Sequence, residues 1–197
     1  MRGHFSTLLL VSAMAMTTLA AQCRAQKAEG NTVPPSEFDV TFTFNAASAN
    51  QVGGSRFWMS GGSMQVHDRF AGGWGMVADF GGLHKANINS SGVGLDMVTT
   101  VFGPRYTWTP TRRRFDLYGQ GLVGEVFAFN TIIPMKPLPI TSDNGLAVLA
   151  GGGMNLRATP HVGVRVFEAD WLRTKLANTT TNVQNSIRAG AGVIFRF

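Results

Sequence analysis

Apolar and polar residues alternate in repeated segments from residue 37 to residue 197. In 37–45, Phe38, Val40, Phe42 and Phe44 share one face, and Glu37, Asp39, Thr41, Thr43 and Asn45 share the other. A side-chain period of two is that of a β-strand. The final segment, 186–197, repeats the pattern. Ile187, Ala189, Ala191, Val193, Phe195 and Phe197 fall on one face, and Ser186, Arg188, Gly190, Gly192, Ile194 and Arg196 on the other. Six further strands are predicted between them, at 56–66, 72–80, 93–106, 115–129, 144–157 and 161–172. Three are imperfect. Strand 56–66 has apolar residues on both faces (Phe57, Trp58, Met59), and the two faces of 115–129 are not distinguished. Strand 161–172 changes phase near Phe167, which predicts a β-bulge there.

The predicted connections also alternate. Those at 67–71, 107–114 and 158–160 are short, whereas 46–55, 81–92, 131–143 and 173–185 are longer and polar or proline-rich. An even number of strands near ~9–11 residues, joined alternately by short and long connections, is the pattern of a small transmembrane barrel. The predicted fold is all-β: an eight-stranded antiparallel up-and-down transmembrane barrel spanning 37–197. Trp58, Trp74, Tyr106, Trp108, Phe127, Phe129 and Trp171 lie near predicted strand ends, as an interfacial girdle requires. The polar faces put Asp39, Asp79, Arg105, Arg157, Arg165, Asp170, Arg188 and Arg196 inside. Eight strands leave room only for side chains, so these charges are expected to form one connected network. Asp39 should lie level with Arg196 and Asp170 opposite Arg188, with Asp116 or Glu125 as further partners. Such a network closes the lumen; the rival reading is a narrow, porin-like channel for small solutes.

Composition supports a membrane setting without helices. Only 14% of residues are charged and 24 are glycine. An apolar run from Leu8 to Ala21 follows Arg2 and His4; it is too short for a span of ~20 residues and has the shape of a signal-peptide core. Residues 1–25 are read as a signal peptide, cleaved after Ala21 or Ala25, and 26–36 as a periplasmic leader. Cys23 is the single cysteine, so no internal disulfide is possible. Gln22 before it argues against a lipoprotein signal. The chain carries 17 basic and 11 acidic residues, net +6. Losing Arg2 and Arg24 leaves 15 against 11, or +4. Apart from Arg112, Arg113 and Arg114 the basic residues are scattered, which points to anionic lipid head groups and not to nucleic acid.

The ending Gly192-x-x-Phe195-x-Phe197 resembles the insertion signal of bacterial outer-membrane barrels, with Gly190 where that signal usually has a polar residue. Residues 37–197 are similar to the transmembrane domain of the outer-membrane protein A family. The resemblance implies an outer-membrane location, contact with membrane lipid and lipopolysaccharide, and biogenesis by the barrel assembly machinery. A monomer is expected, with a structural or interaction role carried by the outer loops. Loop residues 131–141, with three prolines and Ile132, Ile133, Leu138 and Ile140, are the candidate for binding or for covering the mouth.

Motifs for other chemistry lack their context. Gly119-x-Gly121-x-x-Gly124 matches a dinucleotide fingerprint, with Asp143 beyond it, but no helix follows. His67, His84 and His161 fall in separate turns or loops without metal-ligand spacing. His67 is read as part of a solvated turn with Asp68 and Arg69. A lipid-modifying enzyme would need a histidine and a serine on one outward strand, and no serine follows His161 within its strand. No enzymatic activity, cofactor or metal is expected; the lipid enzyme and a soluble lipocalin-like carrier stand as rivals.

Overall fold

The computed structural model describes residues 37–50, 56–88, 93–110, 114–131, 141–177 and 182–197. The expected signal peptide and leader, Cys23, Arg112, Arg113 and most of the proline-rich loop lie outside these residues. Eight strands follow in chain order: β1 (Glu37–Asn50), β2 (Arg56–Ala71), β3 (Trp74–Lys85), β4 (Leu95–Trp108), β5 (Phe115–Phe129), β6 (Asp143–Arg157), β7 (Val162–Thr174) and β8 (Gln184–Arg196). Each pairs antiparallel with the next, and β8 returns to β1, from Asp39 opposite Arg196 to Ser48 opposite Ile187. Closure leaves no unpaired sheet edge, which a strand structure in lipid requires.

The strands run further than the sequence predicts. Residues 46–50, expected in a loop, continue β1. β2 extends through the expected turn at 67–71 and reverses instead at Gly72 and Gly73, both at positive φ (54° and 93°). A Cβ on Gly73 would stand 2.5 Å from the Thr107 carbonyl oxygen, so the turn needs glycine there. β3 runs on to Lys85 and takes His84 into the sheet. In each case hydrogen-bonded pairing with a neighbour carries the strand past its predicted end.

β7 contains the bulge. Arg165 lies opposite Gly192 and Glu168 opposite Gly190, so two residues of β7 span one of β8; a matching shift occurs against β6 at Met154/Asn155. Val166 and Phe167 both point outward. Arg165 and Glu168, three residues apart, therefore both face the interior, which a regular strand forbids.

The interior has two parts. Toward the rim that carries Glu37 and Phe197 it is polar and charged. Toward the opposite rim it is an apolar core that includes Phe57, Met59, Leu83, Met97, Leu122, Val126, Leu149 and Leu172. That core explains the two strands with undistinguished faces. On β2 and β5 the apolar wall and the apolar half of the interior alternate, so both phases are hydrophobic.

Candidate functional site: the charged interior and the lipid-facing wall

The centre of the interior is a balanced cluster. Arg188, on β8, is its hub. It donates to Asp79 on β3 (2.9 and 3.2 Å), to Asp170 on the adjacent strand (2.9 and 3.2 Å) and to Glu168 (3.2 Å). Its side chain is 2% exposed and those of the three carboxylates 0%. Arg165 pairs with Glu168 and also donates to Asn155 and Gln65. Arg105 has no carboxylate among its hydrogen-bond partners. It donates to Gln65 and Gln120 and lies 4.4 Å from the Tyr118 ring centre, with Arg165 4.8 Å from the same ring. The Tyr118 hydroxyl donates to Glu168 (2.6 Å). Three guanidinium groups thus meet three carboxylates, with Gln65, Gln120 and Tyr118 bridging them. Buried charge is tolerable where it is paired and hydrogen-bonded, as Arg188 and the three carboxylates are; Arg165 Nη2 is buried without a hydrogen-bond partner. Inward glycines make the space. A Cβ on Gly81 would stand 2.7 Å from Thr99 Oγ1 and 3.3 Å from Arg188 Nη1, and one on Gly151 2.3 Å from Asp170 Oδ1.

A second group sits nearer the rim that carries the chain ends. Arg157 donates to both oxygens of Asp116 (3.1 and 3.2 Å), and Arg69 binds Glu37. Arg196 lies level with Asp39 in the strand register, yet its side chain reaches Glu37 (3.3 Å) and Asp116 (3.8 Å) instead. Asp39 takes His67, at 2.9 Å. His67 is therefore a buried lumen residue and not part of a solvated turn, because β2 continues through it.

The structure brings Asp79, Arg165, Asp170 and Arg188 into one cluster, with Arg105 joined through glutamines. It places Arg157 and Arg196 around Asp116 in the rim group. Glu125 is not among them: it faces outward, since on β5 the inward phase is Asp116, Tyr118, Gln120 and Leu122. Glu168 is the central residue that the sequence pattern missed. Counting by twos from Arg165 puts Glu168 outside, and only the bulge brings it in. Gln65, Tyr118 and Gln120 were missed because uncharged polar residues on indistinct strands carry little signal.

The outer wall is the inverse of the interior. Phe42, Phe44, Trp58 and Phe102 are 51–68% exposed and belong to an apolar surface around the barrel. Trp74 and Tyr106 stack edge-on at 5.2 Å, near Trp108, and Trp171 is exposed toward the other end. Apolar surface on this scale is unstable in water and favourable in lipid, which removes the soluble carrier reading. Phe195 and Phe197 belong to this wall, against Phe42 (6.3 Å) and Phe38 (6.0 Å), and the Phe197 amide donates to the Phe38 carbonyl (2.9 Å). Gly192 faces in. A Cβ there would stand 2.1 Å from the Phe42 carbonyl oxygen, so no larger residue fits. The Gly119-Gly121-Gly124 run lies within β5, which continues as strand to Phe129 where the dinucleotide fingerprint would open a helix, so it is no dinucleotide site.

The chain has the fold of the small outer-membrane barrels. Neisserial surface protein A superposes with a TM-score of 0.59 at 18% identity, over 81% of this chain and 97% of that one. Ail, the attachment invasion locus protein of Yersinia pestis, solved with the heparin analogue sucrose octasulfate, gives 0.57 at 15% identity, over 82% of this chain and 99% of Ail. A second Ail structure gives 0.53 at 15% identity, over the same shares. No family model matches the chain, and no curated protein matches it. A closed eight-stranded barrel with an apolar exterior belongs in an outer membrane. Among the described residues no group of three or more His, Cys, Asp or Glu is arranged to hold a metal ion.

Proposed function

We propose that this protein is a sealed outer-membrane barrel with a structural or interaction role, acting through its outer surface and not through its lumen. The observation that carries this reading is the filling of the interior. A neutral cluster of three arginines and three acids occupies the centre, and an apolar core stands between it and the outer rim. An ion entering from outside would meet hydrocarbon, and one entering from the periplasm would meet guanidinium groups already engaged by carboxylates and glutamine side chains. Both arrangements oppose conduction. Lipid and lipopolysaccharide surround the wall on this reading, the barrel assembly machinery inserts it through the Gly192, Phe195 and Phe197 ending, and the barrel is a monomer. Ail, named for attachment and invasion and solved with a heparin analogue, has a barrel of the same fold, which supports an interaction role at the outer loops. Planar bilayers test the sealing: purified protein should give no stable conductance steps. Reproducible steps altered by Arg188→Ala would show a channel and overturn the reading.

A further inference from the structure

The outer wall carries one polar row that the interior does not use. Ser60 on β2 lies directly opposite His84 on β3, and His84 directly opposite Asp96 on β4. All three point outward, since their neighbours Met59, Leu83 and Met97 are buried inside. His84 Nδ1 is hydrogen-bonded to Asp96 Oδ1, and the Asn130 side-chain amide donates to Asp96 Oδ2. Asn130 is held at φ 55°, in the left-handed region. The carboxylate thus has one oxygen on the imidazole and the other tied back. With Nδ1–H held by Asp96, the Nε2 lone pair is the basic one. Directly opposed residues of antiparallel strands have Cβ atoms about 5 Å apart, which brings a serine Oγ within reach of Nε2. Nucleophile–base contacts of this kind commonly tighten only around substrate.

A second observation points to the ligand. Moving inward along the same face, Gly62 follows Ser60 by two residues and Gly82 precedes His84 by two, and the two glycines lie opposite each other. A shallow, open groove of about 470 Å³ lies on the wall at Gly62, lined by Phe42, Phe44, Met64 and Phe80. On the opposite side of the row, Trp58 precedes Ser60 by two residues and is 64% exposed. Tryptophan marks the membrane interface. The row therefore stands between head groups and hydrocarbon, where the ester carbonyls of lipids lie, and an apolar groove for an acyl chain lies beside it.

We propose that Ser60, His84 and Asp96 form a lipid-facing hydrolase site for acyl esters of outer-membrane lipids, with the groove at Gly62 holding the acyl chain. Ser60 Oγ attacks the ester carbonyl carbon while His84 Nε2 takes the hydroxyl proton. The carbon–oxygen bond to the lipid alcohol breaks, and His84 returns the proton to that alcohol. Water then attacks the acyl-serine ester, giving up a proton through His84, which passes it back to Ser60 Oγ as the fatty acid leaves. Ester and water become acid and alcohol, with Ser60 and His84 restored. Asp96 and Asn130 are positioning residues: they fix the tautomer and stabilise the imidazolium. Serine and histidine stand here on different strands, and register assembles the row from three.

The test uses the full chain folded in detergent micelles, with its folding checked by the mobility difference between unboiled and boiled samples. Phosphatidylethanolamine and hexa-acylated lipid A are supplied separately, and released fatty acid is measured by mass spectrometry. Release is expected from at least one, and which one assigns the lipid. Ser60→Ala and His84→Ala should each lower it at least about a hundredfold with mobility unchanged. A fluorophosphonate should label Ser60 in the unaltered protein, a readout independent of variant folding. Asp96→Asn should lower kcat for p-nitrophenyl acetate without changing KM, and Asp96→Glu should restore part of it; a purely structural role would show neither the split nor the rescue. Gly82 stands opposite Gly62, and a Cβ there meets nothing within 4 Å, so Gly82→Leu should fold and raise KM for p-nitrophenyl palmitate more than KM for p-nitrophenyl acetate. No release from either lipid by the folded protein, or undiminished release by Ser60→Ala, overturns the hydrolase. Equal loss for long and short esters in Gly82→Leu overturns the groove.

Discussion

Replacing Arg188 by methionine isolates the central cluster. The side chain is 2% exposed and holds Asp79, Glu168 and Asp170 at once. Methionine fills similar space and removes the charge and its donors. Three carboxylates then remain with one paired arginine, Arg165, together with the neutral donors Gln65, Gln120 and Tyr118. Asp79 and Asp170 lose their arginine partner, and the cluster goes from neutral to a net charge of −1 in a space water barely enters. Breaking a buried ion pair by removing one partner costs about 3–5 kcal/mol. That is a large share of a domain stability of about 5–15 kcal/mol. Reversible urea unfolding in lipid vesicles, followed by tryptophan fluorescence, measures it. The control is Arg173→Met, exposed on the outer wall and expected to change stability by no more than about 0.5 kcal/mol. Asp79→Leu combined with Arg188→Met should be less destabilising than the sum of the single changes, since the two groups share hydrogen bonds. A loss under about 1 kcal/mol for Arg188→Met, or additive behaviour of the pair, would show that the cluster does not act as a unit.

Three further outcomes test the wall, the bulge and the ending. Phe42→Arg puts a charge on the lipid face and should cost about 2–4 kcal/mol near the midplane; the same vesicle titrations would refute that facing by showing no loss. Deleting Phe167 removes the extra residue, so Glu168 stands two residues after Arg165 and both still face the interior of a regular strand; the deletion and Phe167→Ala should both give a heat-modifiable folded band. Loss of that band in the deletion alone would show that the bulge is needed to close the barrel. Deleting Phe197 should lower outer-membrane levels more than Phe197→Tyr, because it also removes the amide that donates to Phe38; equal levels for the deletion and the unaltered chain would count against the ending as an insertion signal.

What the chain determined by itself is the class of fold and most of its facing. Phe38, Val40, Phe42 and Phe44 against Asp39, Thr41 and Thr43 already separate wall from lumen, because a strand's two faces follow from local geometry alone. The method holds wherever the lumen is polar. It fails on β2 and β5, where Phe57, Met59, Leu122 and Val126 fill an apolar half of the interior and hydrophobicity no longer distinguishes in from out. The tertiary structure decided everything that depends on register. Asp39 and Arg196 share a row, yet Arg196 turns to Glu37 and Asp116 because side chains several atoms long choose among neighbours on other strands. Glu168 enters the centre only through one extra residue in β7. Ser60, His84 and Asp96 are far apart in sequence, and no periodicity joins them; the pairing of β2, β3 and β4 does. Period two is a property of one strand, while register is set by turns, bulges and closure of the whole sheet. Side chains that meet across strands are therefore legible only once the barrel is closed.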